Sequence, residues 1–73
     1  MTRIRVKSEI SGAVWKIEAA AGARVAEDDP IITLESMKME IPILAPETGT
    51  VAEILVDEGD AVTEGQEVAV IDA

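Results

Sequence analysis

The residue with the clearest chemical potential in this sequence is a single lysine between two methionines. Lys38 follows Met37 and precedes Met39 in "ESMKMEI", with Glu35 and Glu40 on the two sides of the triplet. A lysine offers a nucleophilic amine on a long stem, and its acylation produces a neutral amide. An attachment point of this kind must be exposed, so the elements around Lys38 have to present it to solvent.

Alternation of apolar and polar residues around Lys38 predicts a hairpin whose two central residues are Met37 and Lys38. With that turn, apolar pairs share one face and a like-charged pair follows: Leu34 with Ile41, Ile32 with Ile43, and Glu35 with Glu40. Two-residue turns favour Asn-Gly because they require positive φ, so Met-Lys costs roughly 1–2 kcal/mol per residue. A local rule broken at an exposed tip indicates a functional site; the alternative is a longer, relaxed loop with an ordinary solvated lysine.

An internal repeat places this hairpin within the chain. Shifting the sequence by 37 residues aligns Gly12 with Gly49 and Gly22 with Gly59 without a gap. Each half carries Gly-x-Val-x-x-Ile, then Gly-x-x-Val-x-Glu, then an apolar strand. Neither half is long enough to close a core, so we expect two halves packed about a pseudo-two-fold axis. Because Lys38 aligns with Met1, the repeat predicts the turn at one end of the molecule and both termini near the other.

Short β-branched runs between turn residues predict an all-β fold of about eight strands. The runs are "IRV", "AVWKI", "IITL", "EIPIL", "TVAEILV" and "EVAVI". We expect residues 1–73 to form one domain, a flattened eight-stranded β-barrel or sandwich of two pseudo-two-fold-related halves. Asp28 aligns with Gly65 in the repeat. Since aspartate tolerates positive φ, the same turn is expected in both halves.

Composition excludes several classes of function. The net charge of −9 disfavours partners that carry phosphates, so neither nucleic acid nor an anionic membrane is expected. The chain has no cysteine and no histidine, which removes the commonest metal ligands and the commonest general base. Trp15, the only aromatic residue, is expected to be a partly buried packing residue. Without a signal peptide or a long apolar span, a cytoplasmic location is expected.

"ESMKMEI" resembles the biotin attachment motif of biotin carboxyl carrier domains, whose signature is Met-Lys-Met after a small residue. The resemblance extends over nearly the whole chain. "APETGTV" and "VDEGDAVTEGQEVAVI" are similar to the Ala-Pro-x-x-Gly-x-Val and Gly-Asp-x-Val-x-x-Gly-x-x-Leu patterns of that family. Two departures stand out: Ser36 replaces the more usual alanine, and the protruding insertion of some bacterial acetyl-CoA carboxylase carriers is absent.

This resemblance implies a flattened β-barrel with a modified lysine on an exposed hairpin. Lys38 would carry covalent biotin, joined to its amine by a biotin protein ligase that uses ATP. Met37 and Met39 would be recognised by the ligase, and Glu35 and Glu40 would add contacts or remain plain solvated charges. The domain would be non-catalytic and would serve a biotin carboxylase and a carboxyltransferase, carrying a carboxyl group between their sites.

Three other interpretations differ in what they require of the sequence. A lipoyl carrier would have a similar fold with lipoate on the lysine, but its usual motif is Asp-Lys-Ala. An unmodified structural module of the same fold would not need an intact attachment motif. An enzyme is disfavoured because histidine and cysteine are absent and a small domain has little room for a deep pocket.

Overall fold

The computed structural model describes residues 2–73, which form eight β-strands and no helix. The strands are β1 (Arg3–Lys7), β2 (Gly12–Ile17), β3 (Arg24–Val25), β4 (Pro30–Ser36), β5 (Met39–Leu44), β6 (Gly49–Ile54), β7 (Ala61–Val62) and β8 (Glu67–Asp72). Each of the six apolar runs contributes a strand, and the two-residue strands β3 and β7 complete the predicted number. Across residues 2–73, no helix is long and apolar enough to cross a membrane.

The strands form two antiparallel four-stranded sheets that are related by the repeat. Sheet I has the order β1-β8-β6-β3, and sheet II has the order β5-β4-β2-β7. A shift of 37 residues converts each strand of sheet I into the strand at the same place in sheet II, so the pseudo-two-fold axis exchanges the sheets. The predicted all-β architecture is confirmed in its sandwich form, because the ladders described for residues 2–73 join strands within each sheet and do not close a barrel.

Hydrogen bonds repeat across the pseudo-two-fold axis as well. The Glu27 backbone N–H donates to Thr48 Oγ1 at 3.0 Å, and the Glu64 N–H donates to Ser11 Oγ at 3.0 Å. The predicted turn at Asp28 is confirmed: its φ is 71°, and that of its counterpart Gly65 is 85°. The two halves therefore share turn geometry as well as strand order.

The core lies between the sheets and is built from β-branched and leucine side chains. Alternation along β1 and β5 turns every second residue inward, whereas β4 and β8 are buried over four consecutive residues. Apolar burial provides the main stabilising term. The side chains with no accessible surface are those of Ile31, Ile32, Leu34, Val68, Ala69 and Ile71. These residues come from β4 and β8, the pair of strands exchanged by the axis, so both halves contribute equally to the centre.

Trp15 lies outside this core. The ladder between β2 and β4 pairs Val14 with Leu34 and Lys16 with Thr33, which leaves Trp15 as the extra residue of a β-bulge. Its side chain is 49% exposed. The expected packing role is therefore not the one that the structure shows, because Trp15 follows the buried Val14 and alternation turns its side chain outward. The bulge keeps Lys16 on the outer face as well and returns Ile17 to the core.

The predicted hairpin and the chain ends occupy equivalent positions in the two halves. Thr2 and Ala73 exchange backbone N–H···O hydrogen bonds of 2.9 and 2.8 Å, at the place where Ser36 pairs with Met39 in the other half. The molecule measures 36 × 17 × 17 Å, and β1 leads from Thr2 to Ser8, which hydrogen-bonds to the loop at 63–66. That loop also bonds to Ser11, and the adjacent Gly12 lies against Ser36 at the start of the turn. The turn and the Thr2–Ala73 pair therefore lie at opposite ends; Met1, which aligns with Lys38, lies outside the described residues.

Candidate functional site

The β4–β5 hairpin has the register that the sequence predicts. Ser36 pairs with Met39 and Glu35 with Glu40, which leaves Met37 and Lys38 as a two-residue turn. Both turn residues have positive φ, 53° for Met37 and 64° for Lys38. This is the left-handed backbone of a type I′ turn, whose twist matches that of the flanking strands. The relaxed loop considered as an alternative is not what forms.

Every candidate side chain at this turn is exposed. Met37 is 92% exposed and Met39 is 63% exposed, although methionine usually fills cores. Lys38, Glu35 and Glu40 are exposed as well. The hairpin extends beyond the end of the sandwich, so even Met39, which follows the inward alternation of Ile41, finds no core to pack against. The structure thus brings together all five residues singled out in the sequence.

The Lys38 amine has no ion pair within residues 2–73. By comparison, Lys16 Nζ lies 3.8 Å from Glu18 Oε1, and Arg5 Nη1 lies 2.9 Å from Glu67 Oε1. The hydrogen bond that the Arg5 guanidinium donates to the Glu67 carboxylate raises the pKa of Arg5 above its ordinary value. An unpaired amine at the tip of a hairpin is available to an incoming reagent, whereas the paired cations are engaged on the sheet surface.

Two inward pairs and one glycine hold the hairpin in place. Leu34 is fully buried and pairs with Ile41 across the hairpin and with Val14 on β2, so the base of the hairpin is anchored in the core. Gly12 opens β2 beside the same base, and a Cβ atom there would lie 3.3 Å from the Ser36 Cβ. Gly12 was not among the predicted site residues; its signal was its equivalence to Gly49 in the repeat.

The arrangement suits acylation of the lysine by an external enzyme. The turn offers an accessible nucleophile and two flexible apolar neighbours, but no group that would activate the amine. Among residues 2–73, no group of three or more acidic side chains could hold a metal ion, and the sequence has no histidine or cysteine. The residues present fit a covalently attached cofactor, because an exposed, unpaired amine can become an amide without removing any contact from the fold.

Comparison with known proteins agrees with this geometry. The family model described as "Biotin-requiring enzyme", for the biotin/lipoyl attachment family, matches residues 5–71. The chain is 43% identical over 60 residues to the biotin/lipoyl attachment protein of Bacillus subtilis, covering 82% of each chain. It is 39% identical over 66 residues to the biotinylated protein TB7.3 homolog of Mycobacterium leprae, covering 90% of this chain and 93% of that one.

A solved structure extends the comparison to the fold. The crystal structure of Kluyveromyces lactis urea carboxylase contains a segment that superposes on this chain with a TM-score of 0.93 and 39% sequence identity. The match covers 99% of this chain and 6% of the much longer carboxylase. With the family match over residues 5–71 and two relatives of nearly the same length, the chain belongs to the biotin/lipoyl attachment family, as a domain of the biotin carboxyl carrier type.

Proposed function

We propose that Lys38 is the residue to which biotin is covalently attached, and that the loaded domain carries a carboxyl group between a biotin carboxylase and a carboxyltransferase. The observation that carries the proposal is the strained turn: Met37 and Lys38 both hold positive φ at an exposed tip. Non-glycine residues in that conformation are rare, and they concentrate at functional sites. Relatives named for biotin attachment support the choice of cofactor.

The residues of this chain would act by presentation and not by catalysis. The Lys38 amine attacks the activated carboxyl group of biotin in the ligase, forming an amide C–N bond and releasing the activating group, with ATP as the energy source. The amide is neutral, so loss of one positive charge takes the formal net charge from −9 to −10. When attached, biotin supplies the atom that holds the carboxyl group; the hairpin supplies an arm free of the sandwich.

Partner enzymes would provide the chemistry that this domain lacks. The ligase would recognise Met37 and Met39, whose flexible side chains suit a groove, with Glu35 and Glu40 at its edge. The urea carboxylase match supports a carboxylase as the user of the loaded arm, although this chain spans 6% of that protein. On this proposal the domain is non-catalytic and works in the compartment of its ligase and carboxylase, the cytoplasm.

Attachment is tested by intact mass after reaction with a biotin protein ligase, biotin and ATP. One biotin adduct is expected on the wild type and none on Lys38→Arg, which keeps the charge. Lys16→Arg is the matched control and should gain the adduct like the wild type. An unmodified wild type, or a modified Lys38→Arg, would refute the assignment.

Two further reactions separate biotin from the alternatives. A parallel reaction with a lipoate ligase is expected to leave the protein unmodified, and a lipoyl adduct with no biotin adduct would favour a lipoyl carrier. A protein modified by neither ligase would favour the structural module. For the carrier step, biotin carboxylase, ATP and labelled bicarbonate are expected to label the biotinylated wild type but not the unloaded protein.

A further inference from the structure

The outer faces of the two sheets are equivalent through the repeat, yet they carry different side chains. Sheet I carries two ion pairs: Arg3 Nε lies 3.2 Å from Asp72 Oδ1, and Arg5 Nη1 lies 2.9 Å from Glu67 Oε1. Arg24 on β3 is exposed on the same sheet. Charged, paired residues of this kind are typical of a face that remains in water.

Sheet II keeps charge at the positions equivalent to Arg3 and Asp72, where it has Glu40 and Glu35, but it has small or apolar residues at others. At the positions equivalent to Arg5, Thr50 and Arg24 in sheet I, it carries Pro42, Ala13 and Ala61, all exposed. Ala13 and Ala61 are register partners in the β2–β7 ladder, and Trp15 follows Ala13 along β2. We call Ala13, Trp15, Pro42 and Ala61 the Trp15 face. An exposed tryptophan in a setting of small residues is typical of a protein–protein contact.

This face lies next to the turn that bears Lys38. Ala13 pairs with Glu35, and Glu35 pairs with Glu40, so the face continues directly into the hairpin. Trp15 lies opposite Leu34 and Thr33, which precede Lys38 by four and five residues. At about 3.3 Å per residue, the indole stands roughly 13–17 Å from the turn along the strand.

An enzyme that modifies the unloaded lysine has to contact the domain over more than the turn itself. A stable interface buries about 800 Å² on each partner. The accessible surface of this molecule is 4490 Å², so such an interface would cover roughly a fifth of it. The two turn residues cannot supply that area alone. Once an arm is attached, a partner can reach its end from farther away, so the demand for close contact is greatest for the ligase.

Charge around the face sets the chemistry of the partner surface. Glu35 and Glu40 border it on the side of the turn. Glu58, whose carboxylate accepts a hydrogen bond from the Ile17 N–H at 3.4 Å, borders it beside β2. Lys16 is next to Trp15 but is paired with Glu18. A complementary surface therefore has an apolar centre for the indole and basic residues at its rim.

We propose that the Trp15 face is the docking surface for the biotin protein ligase that modifies Lys38. The inference rests on the proposed function and adds a second recognition element, on sheet II, to the hairpin itself. The ligase seats the turn in its active site and covers Trp15 with an apolar patch that has a basic rim. Sheet I faces away from the enzyme and stays in solvent.

The test measures the kinetics of biotinylation by a bacterial biotin protein ligase with varied concentrations of the acceptor domain. Trp15→Ala removes the indole, and Ala61→Arg places on sheet II the residue type that sheet I carries at the equivalent Arg24. Each change is expected to raise KM about tenfold or more and to leave kcat nearly unchanged, as loss of an anchor in an interface does. Circular dichroism establishes that each variant is folded at the assay temperature.

Matched controls come from sheet I and from Leu55, the residue that follows β6. Leu55 is 48% exposed, close to the 49% of Trp15, and Leu55→Ala should leave KM unchanged. Arg24→Ala should do the same. If Trp15→Ala does not fold, Ala61→Arg decides the question, since the fold accepts arginine at the equivalent place. Wild-type KM values for folded Ala61→Arg and Trp15→Ala would overturn the docking surface while leaving attachment at Lys38 intact. A wild type that gains no biotin would instead refute the proposed function.

Discussion

Gly12 and Glu35 approach so closely that a Cβ atom at Gly12 would lie 2.7 Å from the Glu35 carbonyl oxygen. A contact below 3.0 Å forces a backbone shift, because the obstructing atom belongs to the main chain. Glu35 leads directly into the turn that bears Lys38, so this close approach fixes the base of the hairpin. The repeat provides a second instance, in which a Cβ at Gly49 would meet the Asp72 carbonyl oxygen.

Replacing Gly12 by alanine should therefore affect both stability and modification. The free energy of unfolding is expected to fall by about 1–3 kcal/mol, the usual cost of overpacking, as measured by urea denaturation. Biotinylation of Lys38 should slow because Glu35 and Ser36 shift. Gly49→Ala is the matched control: it should destabilise the protein by a similar amount and leave biotinylation of the folded protein unchanged. Equal effects of the two variants on biotinylation would contradict this account.

The positive φ of Lys38 predicts that a lysine at this position lowers the free energy of unfolding, because a non-glycine residue is strained there. Lys38→Gly removes the left-handed penalty at φ 64° and is expected to raise the free energy of unfolding by about 1 kcal/mol, while eliminating biotin attachment. Asp28→Gly, with φ 71° at the other end of the molecule, should stabilise less because aspartate tolerates this conformation. Thermal denaturation measures both changes. A lower melting temperature for Lys38→Gly would show that the turn is not strained.

Removing a central core side chain should bring the protein close to unfolding. Leu34 and Ile71 are equivalent in the repeat, and both have no exposed surface. Leu34→Ala and Ile71→Ala are each expected to cost about 2–5 kcal/mol, a large share of the 5–15 kcal/mol typical of a domain. Leu44→Ala is the control, because Leu44 is 43% exposed and should lose far less. Urea denaturation followed by Trp15 fluorescence reports the differences; a Leu44→Ala loss as large as that of Leu34→Ala would be inconsistent with this core.

Two equivalent hydroxyl groups hold the loops at opposite ends of the sandwich. Ser11 Oγ accepts the Glu64 N–H, and Thr48 Oγ1 accepts the Glu27 N–H, both at 3.0 Å. Ser11→Ala and Thr48→Ala should each lower the free energy of unfolding by about 1 kcal/mol.

Thr63→Ala is the control for the hydroxyl variants, since Thr63 uses its backbone N–H, which alanine retains, to bind the Gln66 side chain. In chemical denaturation of the three variants, the free energy of unfolding of Thr63→Ala should be nearest to that of the wild type. Loss of stability in Thr48→Ala but not in Ser11→Ala would indicate that the two halves are not energetically equivalent.

Much of the fold was predictable because its determinants repeat along the chain. The 37-residue repeat predicted that each strand has a counterpart, and the strand orders of sheets I and II confirm it. The pairing of Leu34 with Ile41 and of Ile32 with Ile43 was also predicted, since a tight turn and period-two alternation leave one register for a hairpin. Pro42 fits this register, because β5 is an edge strand and can hold a residue without a backbone N–H.

The surface around the site was harder to predict from the sequence. Trp15 was expected to be a partly buried packing residue, but it lies on the outer face of sheet II and is 49% exposed. Its neighbours on that face are known only once β2 is paired with β4 and β7. Gly12 was noted as half of a repeated pair, without its contact to Glu35. That contact joins residues 23 positions apart in sequence, a separation that no local pattern encodes.

The sequence by itself determined the β architecture, the repeat, and the hairpin with Lys38 at its turn, because each depends on alternation or spacing between near neighbours. The tertiary structure decided that Met37 and Met39 both stand clear of the core, and that Gly12 supports the hairpin base. It also decided that sheet II presents Trp15 beside the turn while sheet I presents paired charges. These features depend on ladder pairings between distant segments, and only the folded chain brings those segments together.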